Sequence, residues 1–335
     1  MNNEYFLSTT IERFIDVIIL SYNNNDDDNQ NYTKRNKKKL QVAYCVPKII
    51  HIEDHFPILS HSSFIISILL GLHGYTKKSL SLSGAIAAFF VGLGTIAHDW
   101  NVYAVVLLTF YFTSSRLTKY KAERKKKLEE DYVDGGQRTI AQVLCTSLFG
   151  TSIAILHQWI YGGNLECLLE DRGSRFLFWM YIGHYATCNG DTWASELGIL
   201  SKDWPILITT FKKVPPGTNG GVSPLGLLAS VMGGFIIGVF ALITIVITDG
   251  CVKIWYEIII ISSFAGFFGS LVDSLLGATV QQTNYSEKSK KITYHETENV
   301  KVISGIDLLD NNQVNFFSAL FTGLVTGFLG DWLIN

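Results

Sequence analysis

Charged residues are scarce in this chain of 335 residues. Asp, Glu, Lys and Arg make up 17% of it and hydrophobic residues 48%, whereas soluble domains carry about 25% charged residues. A basic surplus is also missing, because the formal net charge is −2. Proteins that bind nucleic acid depend on such a surplus. The composition therefore excludes a nucleic-acid partner and indicates an integral membrane protein.

Several motifs of soluble enzymes are absent as well. The five cysteines form no C-x-x-C pair and the histidines form no H-E-x-x-H motif, which removes the usual signs of a zinc site. The chain has neither a Walker P-loop, G-x-x-x-x-G-K-[ST], nor a dinucleotide-binding G-x-G-x-x-G. No G-x-S-x-G elbow supports a serine hydrolase. Any nucleotide site must therefore be built from other elements.

The apolar residues fall into stretches long enough to cross a membrane. Residues 21–39, rich in Asn, Asp and Lys, hold almost nothing to bury, so we predict a disordered polar tail over 1–50 and a membrane domain over 51–335. A spanning helix needs about 20 mostly apolar residues. The predicted fold is all-α, a polytopic transmembrane helix bundle of about eight spans, with a range of about seven to nine. The spans centre on residues 57–74, 80–97, 101–116, 139–160, 175–199, 225–248, 254–276 and 314–334.

Basic residues between the predicted spans indicate how the bundle is oriented. The connections on one side hold 17 Lys and Arg residues, and those on the other side hold three. Lys and Arg in short loops favour the cytoplasm, so the basic side is predicted to be cytoplasmic. We expect a multi-pass protein of an endomembrane such as the endoplasmic reticulum, with its polar motifs at the cytoplasmic helix ends. The basic connections are residues 75–79, 116–138, 200–224 and 277–313.

Three acids lie in or beside apolar spans, where an unpaired charge is costly. Asp191 and Glu196 lie late in the fifth span, and Asp273 lies near the end of the seventh. A charged side chain costs about 2.5–3.5 kcal/mol at the bilayer centre, so it needs a cation or a polar cavity. Mg²⁺ takes oxygen ligands from one or two carboxylates and from substrate phosphates. We expect these acids to be Mg²⁺ ligands, with interhelical hydrogen bonds as the alternative.

Polar neighbours of these acids are predicted to support the same site. Asp191 and Ser195 are four residues apart, as are Thr192 and Glu196, so each pair shares a helix face. Glycines spaced three and four residues apart around Asp273 predict a close contact between two helices. The predicted supporting residues are Asn189, Thr192, Ser195, Arg138, Asp310, Asn311 and Asn315.

The connection after the fifth span contains a candidate phosphate-binding loop. Its glycines let backbone N–H groups turn toward an anion, and the lysines before them add positive charge. A plain tight turn at the membrane surface is the alternative. The candidate residues are Lys212, Lys213, Gly217, Thr218, Asn219, Gly220 and Gly221.

Four stretches of the chain carry a family resemblance. The sequence resembles the transmembrane protein 19 family, which includes the plant phytyl-phosphate kinase, at CNGDTWASELG, KKVPPGTNGGVSPLG, GSLVDSLLGAT and LDNNQVNFFS. More distantly, it is similar to CTP-using membrane enzymes, the dolichol kinases and CDP-diacylglycerol synthases. The wider resemblance implies that Asp191 and Asp273 hold Mg²⁺ against a triphosphate. It also implies that Lys213 and the glycine loop contact the phosphates.

The residues and the resemblance together predict a membrane-embedded lipid kinase. It would transfer a phosphoryl group from a nucleoside triphosphate, with CTP as the expected donor, to an isoprenoid alcohol or isoprenyl monophosphate. Asp191, Lys213 and Asp273 are the predicted catalytic residues, and the predicted partners are a membrane lipid and the nucleotide. The alternatives are a non-catalytic lipid or ion transporter and a structural membrane protein. A kinase needs nucleotide binding that depends on Mg²⁺, whereas a transporter needs access from both faces of the membrane.

Overall fold

Eight helices account for most of the chain that the structure, a computed structural model, describes. The described residues are 61–121, 136–162, 167–169, 171–248, 256–293 and 300–334, so the predicted tail over 1–50 lies outside them. Each helix falls on one of the predicted apolar stretches. The helices are α1 His61–Thr76, α2 Leu82–Ile96, α3 Asn101–Lys119, α4 Ile140–Tyr161, α5 Arg172–Gly198, α6 Pro224–Thr248, α7 Tyr256–Val280 and α8 Asn311–Ile334.

Four of these helices are long and apolar enough to cross a membrane. They are α4, α6, α7 and α8. The helix α2 is apolar but shorter, with 15 residues. The helix α5 has 27 residues, but its second half carries the polar residues of the predicted site. The helical membrane fold is therefore confirmed, and the count of eight spans stays a prediction.

The helix α5 forms the centre of the bundle. Every residue from Phe178 to Gly190 is buried, and α5 packs against α3, α4, α6, α7 and α8. A helix buried on all sides lies in the interior of its fold. Its polar residues are satisfied by neighbouring helices, as when Thr187 donates its hydroxyl to the carbonyl oxygen of Ala265 on α7 at 3.2 Å. This packing explains how a helix of modest hydropathy lies inside a membrane protein.

Glycines allow α5, α6 and α7 to touch backbone to backbone. A Cβ atom added to Gly190 of α5 would lie 2.7 Å from the carbonyl oxygen of Gly266 on α7. A Cβ on Gly266 would in turn lie 2.6 Å from the carbonyl oxygen of Ser230 and 2.8 Å from the Cα of Gly234, both on α6. Side chains larger than hydrogen would push these helices apart. The close approach predicted around Asp273 is confirmed.

The basic connections between helices meet at one end of the bundle. The Lys119 ammonium donates to the carbonyl oxygen of Lys77 and, at 2.8 Å, to the hydroxyl of Ser79, which joins the first two connections. The backbone N–H of Arg138 donates to the Ser79 carbonyl oxygen at 3.0 Å. The third and fourth connections line the same cavity as Arg138, described below. The predicted grouping is therefore present, while the assignment of this end to the cytoplasm stays a prediction.

At the opposite end, polar side chains are paired with one another. The backbone N–H of Trp100 donates to His98 Nδ1 at 2.9 Å, so the His98 Nε2–H donates to His157 Nδ1 at 3.0 Å. The His157 Nε2–H then donates to the Ser174 hydroxyl at 2.7 Å. Asp331 of α8 forms an ion pair with Arg172 of α5 at 2.8 Å. These contacts pair the histidines and the acid at that end with neighbouring groups, while the buried Tyr103 hydroxyl, whose ring stacks on His98, has no hydrogen-bond partner among the described residues.

Short strands at the basic end depart from the predicted all-α fold, which expected only polar loops there. The polar residues of β3, including Thr283 and Ser286, are buried, so no alternation of apolar and polar residues marks the strand in the sequence. One antiparallel pair joins β1 to β2, and a three-stranded antiparallel sheet has the order β4-β3-β5. The strands are β1 Ile206–Leu207, β2 Gly221–Val222, β3 Thr283–Ser286, β4 Lys291–Thr293 and β5 Val300–Ser304.

Candidate functional site

The predicted site residues converge on one cavity of about 830 Å³ at the basic end of the bundle. A volume of that order lies within the range of about 300–1,000 Å³ found for small-molecule and cofactor pockets. The cavity is formed by the second half of α5, the connection that follows it, the end of α7, the start of α8 and the segment before α4. The predicted residues that line it are Arg138, Asp191, Thr192, Ser195, Glu196, Gly217, Thr218, Asn219, Gly220, Gly221, Asp273, Asn311 and Asn315.

Two carboxylates, Asp191 and Asp273, enter this cavity from neighbouring helices. Asp191 directly follows the glycine of α5 that touches α7, and Asp273 lies farther along α7. The hydroxyl of Ser270 donates to Asp191 Oδ1 at 3.3 Å, and the hydroxyl of Ser318 on α8 donates to Asp273 Oδ2 at 2.9 Å. The two carboxylates also interact electrostatically. Like charges at close range repel, and a cation held between them relieves that repulsion.

The oxygen groups around these acids fit Mg²⁺ better than zinc. Within the described part of the chain, no group of three or more His, Cys, Asp and Glu side chains is arranged to hold a metal ion. Zinc takes such a set, whereas Mg²⁺ keeps several waters and binds through one or two carboxylates and substrate phosphates. Hydroxyl and amide oxygens of Ser274, Asn311 and Asn315 line the same cavity. A Mg²⁺ site here would be completed by the substrate.

Arg138 supplies positive charge to the cavity. Among the residues that the structure describes, it is the only Lys or Arg in the cavity wall. Its backbone is fixed, because its carbonyl oxygen accepts from the Ser81 backbone N–H at 3.0 Å, and its guanidinium carbon lies 5.3 Å from the centre of the Phe110 ring. Burial lowers the pKa of Arg138, and Glu196 acts in the opposite direction. An arginine nevertheless stays protonated at neutral pH, so the cation persists.

The glycine loop presents its backbone to the cavity. Gly217 and Gly220 have φ angles of +90° and +77°, which favour glycine. The backbone of Asn219 is held on both sides, since its N–H donates to the Thr283 hydroxyl at 3.2 Å and its carbonyl oxygen accepts from the Ser304 hydroxyl at 3.3 Å. The buried side-chain nitrogen of Asn219 has no hydrogen-bond partner within the described chain. A buried donor without a partner is costly, and a ligand oxygen in the cavity would satisfy it.

Two predicted phosphate-binding lysines lie outside the cavity wall. Lys212 and Lys213 are exposed on the connection between β1 and β2. The Lys212 carbonyl oxygen accepts from the Leu207 N–H at 2.9 Å, and Lys213 pairs as an isolated bridge with Ile206. Backbone pairing at the hairpin thus fixes both lysines before the loop turns into the cavity.

Asn189 and Asp310 also lie outside the cavity wall, and each has a structural contact. Asn189 is buried, accepts from the hydroxyls of Thr113 and Ser114 on α3 at 2.8 and 3.0 Å, and donates to the Gly233 carbonyl oxygen on α6 at 2.8 Å. It therefore ties three helices together. Asp310 is the N-cap of α8, because its Oδ1 accepts from the Gln313 backbone N–H at 2.9 Å.

The sequence prediction missed the serines that bind the two acids. Ser270 precedes Asp273 by one helical turn, so helical periodicity could have predicted it. Ser318 follows the predicted Asn315 by one turn of α8. Helical spacing from a predicted site residue was thus a usable signal for Ser270 and Ser318.

The fold and the site define an integral membrane helix bundle with an acidic, glycine-lined cavity at one end. The chain belongs to the integral membrane protein family DUF92, whose family profile matches residues 65–323. This match confirms the family expected from the four sequence stretches. No solved structure matches the chain.

Relatives of the chain occur in plants and archaea. Protein PGR of Arabidopsis thaliana is 42% identical over 269 residues, which cover 78% of this chain and 93% of the relative. An uncharacterised membrane protein of Methanocaldococcus jannaschii is 31% identical over 220 residues, covering 66% and 82% of the two chains. Protein VTE6, chloroplastic, of Arabidopsis thaliana is 29% identical over 160 residues, covering 47% and 45%.

Proposed function

We propose that this protein transfers a phosphoryl group from a nucleoside triphosphate to an isoprenoid alcohol or its monophosphate, with Mg²⁺ as cofactor and CTP as the favoured donor. One observation carries the proposal: Asp191, Asp273 and Arg138 line a single cavity together with the glycine loop. Paired acids, an arginine and a glycine-rich backbone are the groups that phosphoryl transfer requires.

The residues divide between binding and charge neutralisation. Asp191 and Asp273 would hold Mg²⁺, which neutralises charge on the phosphate oxygens when bound. The backbone N–H groups of Gly217 and Gly220 and the side-chain nitrogen of Asn219 would donate to phosphate oxygens, and Arg138 would stabilise negative charge that develops during transfer. Lys212 and Lys213 add positive charge on the exposed hairpin, where they attract the nucleotide.

Membership of the family adds support for a lipid substrate. The transmembrane protein 19 family, which the chain resembles, includes a plant phytyl-phosphate kinase, and VTE6 aligns with 47% of this chain. A lipid phosphate lies at the headgroup level while a nucleotide arrives from water. A cavity where helix ends meet the basic connections suits both substrates. On the charge distribution we propose that this end faces the cytoplasm from an endomembrane.

A transporter is the less favoured alternative, because the histidines and the α8 acid described at the opposite end are paired, and the buried Tyr103 hydroxyl is an exception there. His98, His157 and Ser174 form one hydrogen-bonded chain there, and Asp331 pairs with Arg172. A transport path needs polar groups that face a substrate from both sides of the membrane. The asymmetry between the two ends therefore favours an enzyme whose substrates meet at one end.

The proposal is tested by nucleotide binding and transfer with purified full-length protein in lipid nanodiscs. We expect Asp191→Asn and Asp273→Asn each to remove Mg²⁺-dependent binding of labelled CTP. Each should also lower transfer to isoprenoid acceptors more than about 100-fold, because loss of a group that only hydrogen-bonds to a metal ligand costs about 10- to 100-fold. Asp307→Asn changes an exposed acid outside the cavity and serves as the matched control. A folded Asp191→Asn or Asp273→Asn variant that transfers like the wild type would overturn the proposal.

A further inference from the structure

A second, apolar cavity lies among the first four helices. It is small, about 50 Å³, and its wall contains Leu70 of α1, Val91 of α2, Leu108 of α3 and Val143 of α4. Nearly all of its lining is apolar, in contrast to the oxygen-rich cavity between α5, α7 and α8. An apolar space of this kind takes hydrocarbon rather than water.

The apolar cavity adjoins the polar cavity at two residues. Arg138 and Thr146 line both of them. The Arg138 guanidinium lies over the ring of Phe110, which is itself part of the apolar wall. The Thr146 hydroxyl donates to the Gln142 carbonyl oxygen at 2.8 Å, so it needs no hydrogen-bond acceptor in the apolar cavity. A hydrocarbon space therefore ends at a cation, and beyond that cation lie the two acids and the glycine loop.

We infer that the apolar cavity binds the first carbons of the acceptor's isoprenoid chain, while Arg138 binds an anionic phosphate at the head of that chain. This inference rests on the proposed function and specifies its acceptor. An isoprenyl monophosphate presents an anion to Arg138, whereas the free alcohol presents none. With a monophosphate as the acceptor, the narrow cavity positions its phosphate beside the nucleotide.

Positioning, rather than gain in affinity from hydrocarbon burial, is the main effect of this cavity. The isoprenoid chain comes from the bilayer, where it is already in an apolar environment, so its transfer into an apolar cavity gains little. Holding the carbons next to the phosphate restricts where the phosphate lies relative to the donor. Such restriction is a major source of rate enhancement.

Photo-crosslinking in the intact protein tests the placement of the chain. The probe is an isoprenyl monophosphate with a diazirine on its first isoprene unit, added to wild-type protein in nanodiscs. We expect labelled peptides from at least two of α2, α3 and α4, and competition by unlabelled isoprenyl monophosphate at least tenfold more effective than by the alcohol. Labelling confined to exposed faces of α7 and α8 would overturn the inference.

Variants that fill the cavity provide the second arm of the test. Ala88→Phe places a ring in the apolar wall, and Ile86→Phe, at a position 52% exposed on the same helix, is the matched control. We expect Ala88→Phe to lower both labelling and transfer to isoprenyl monophosphate at least tenfold while Mg²⁺-dependent CTP binding is kept. Val143→Phe fills the cavity from α4 and replaces Ala88→Phe if that variant does not fold.

The outcomes separate this inference from the proposed function. If the wild type transfers phosphate and both filling variants transfer equally well, the chain site is wrong and the kinase proposal stands. If the probe labels the cavity and the wild type transfers nothing from any nucleotide, the kinase proposal is wrong and the chain site stands.

Discussion

Removal of the Arg138 side chain tests which cation binds phosphate. Its loss leaves the backbone bonds to Ser79 and Ser81 in place. Contact with the Phe110 ring is worth about 2 kcal/mol at a buried site, and natural proteins have about 5–15 kcal/mol of stability. Arg138→Ala should therefore fold. A hydrogen bond to a charged group contributes about 1.5–3 kcal/mol, so we expect kcat/KM for transfer to fall about 10- to 150-fold.

The assay compares four variants by steady-state transfer from labelled CTP. Arg138→Lys keeps the charge and loses the planar fork, so its activity should lie between the wild type and Arg138→Ala. Lys213→Ala removes an exposed charge outside the cavity wall, and exposed charge pairs contribute about 0–1 kcal/mol, which limits its effect to about fivefold. Lys288→Ala, at an exposed residue of the connection after β3, should have no effect. If Lys213→Ala reduces transfer more than Arg138→Ala, Lys213 and not Arg138 is the cation that binds the phosphate.

Two further predictions separate structural from functional roles. Gly266→Ala should lower the free energy of unfolding by about 1–3 kcal/mol, because its Cβ meets backbone atoms at 2.6–2.8 Å. Gly277→Ala on the same helix, whose nearest contact is 3.3 Å, should lower it less than Gly266→Ala. Asp310→Ala should cost about 1 kcal/mol through loss of the α8 N-cap and leave CTP binding unchanged, while Asp310→Ser restores stability. Loss of Mg²⁺-dependent CTP binding in a folded Asp310→Ala variant would instead identify Asp310 as a site residue.

Helix positions were predictable because long apolar stretches carry a strong signal. The convergence of Asp191, Asp273 and the glycine loop was predictable for a different reason, since basic connections on one side of a bundle must meet at one end. Once that end was identified, residues of the segments 191–196 and 217–221 could be predicted to lie there together. Topology read from charge thus located most of the candidate site without any knowledge of the packing.

What the sequence did not reveal depends on contacts within a turn or two. Asn189 and Asp191 are two residues apart and so face different sides of α5, which puts the first among buried helices and the second in the cavity. Lys213 adjoins the glycine loop in sequence, but pairing of very short strands separates it from the cavity wall. Strands of two or three residues have no periodicity to detect, so their effect on neighbouring side chains was not predictable.

The two ends of the bundle differ in how their polar side chains are paired, and this difference supports a ligand site at the cavity. Polar groups in a membrane protein are costly unless they find partners, and at one end His98, His157 and Ser174 find them in each other. At the other end two acids are brought together by glycine contacts between their helices, and the nitrogen of Asn219 is left without an acceptor in the described chain. Packing alone gives no reason to assemble such groups, since an apolar core would be as stable. We propose that a ligand carrying both a cation and phosphate, as a phosphoryl donor does, stabilises this arrangement.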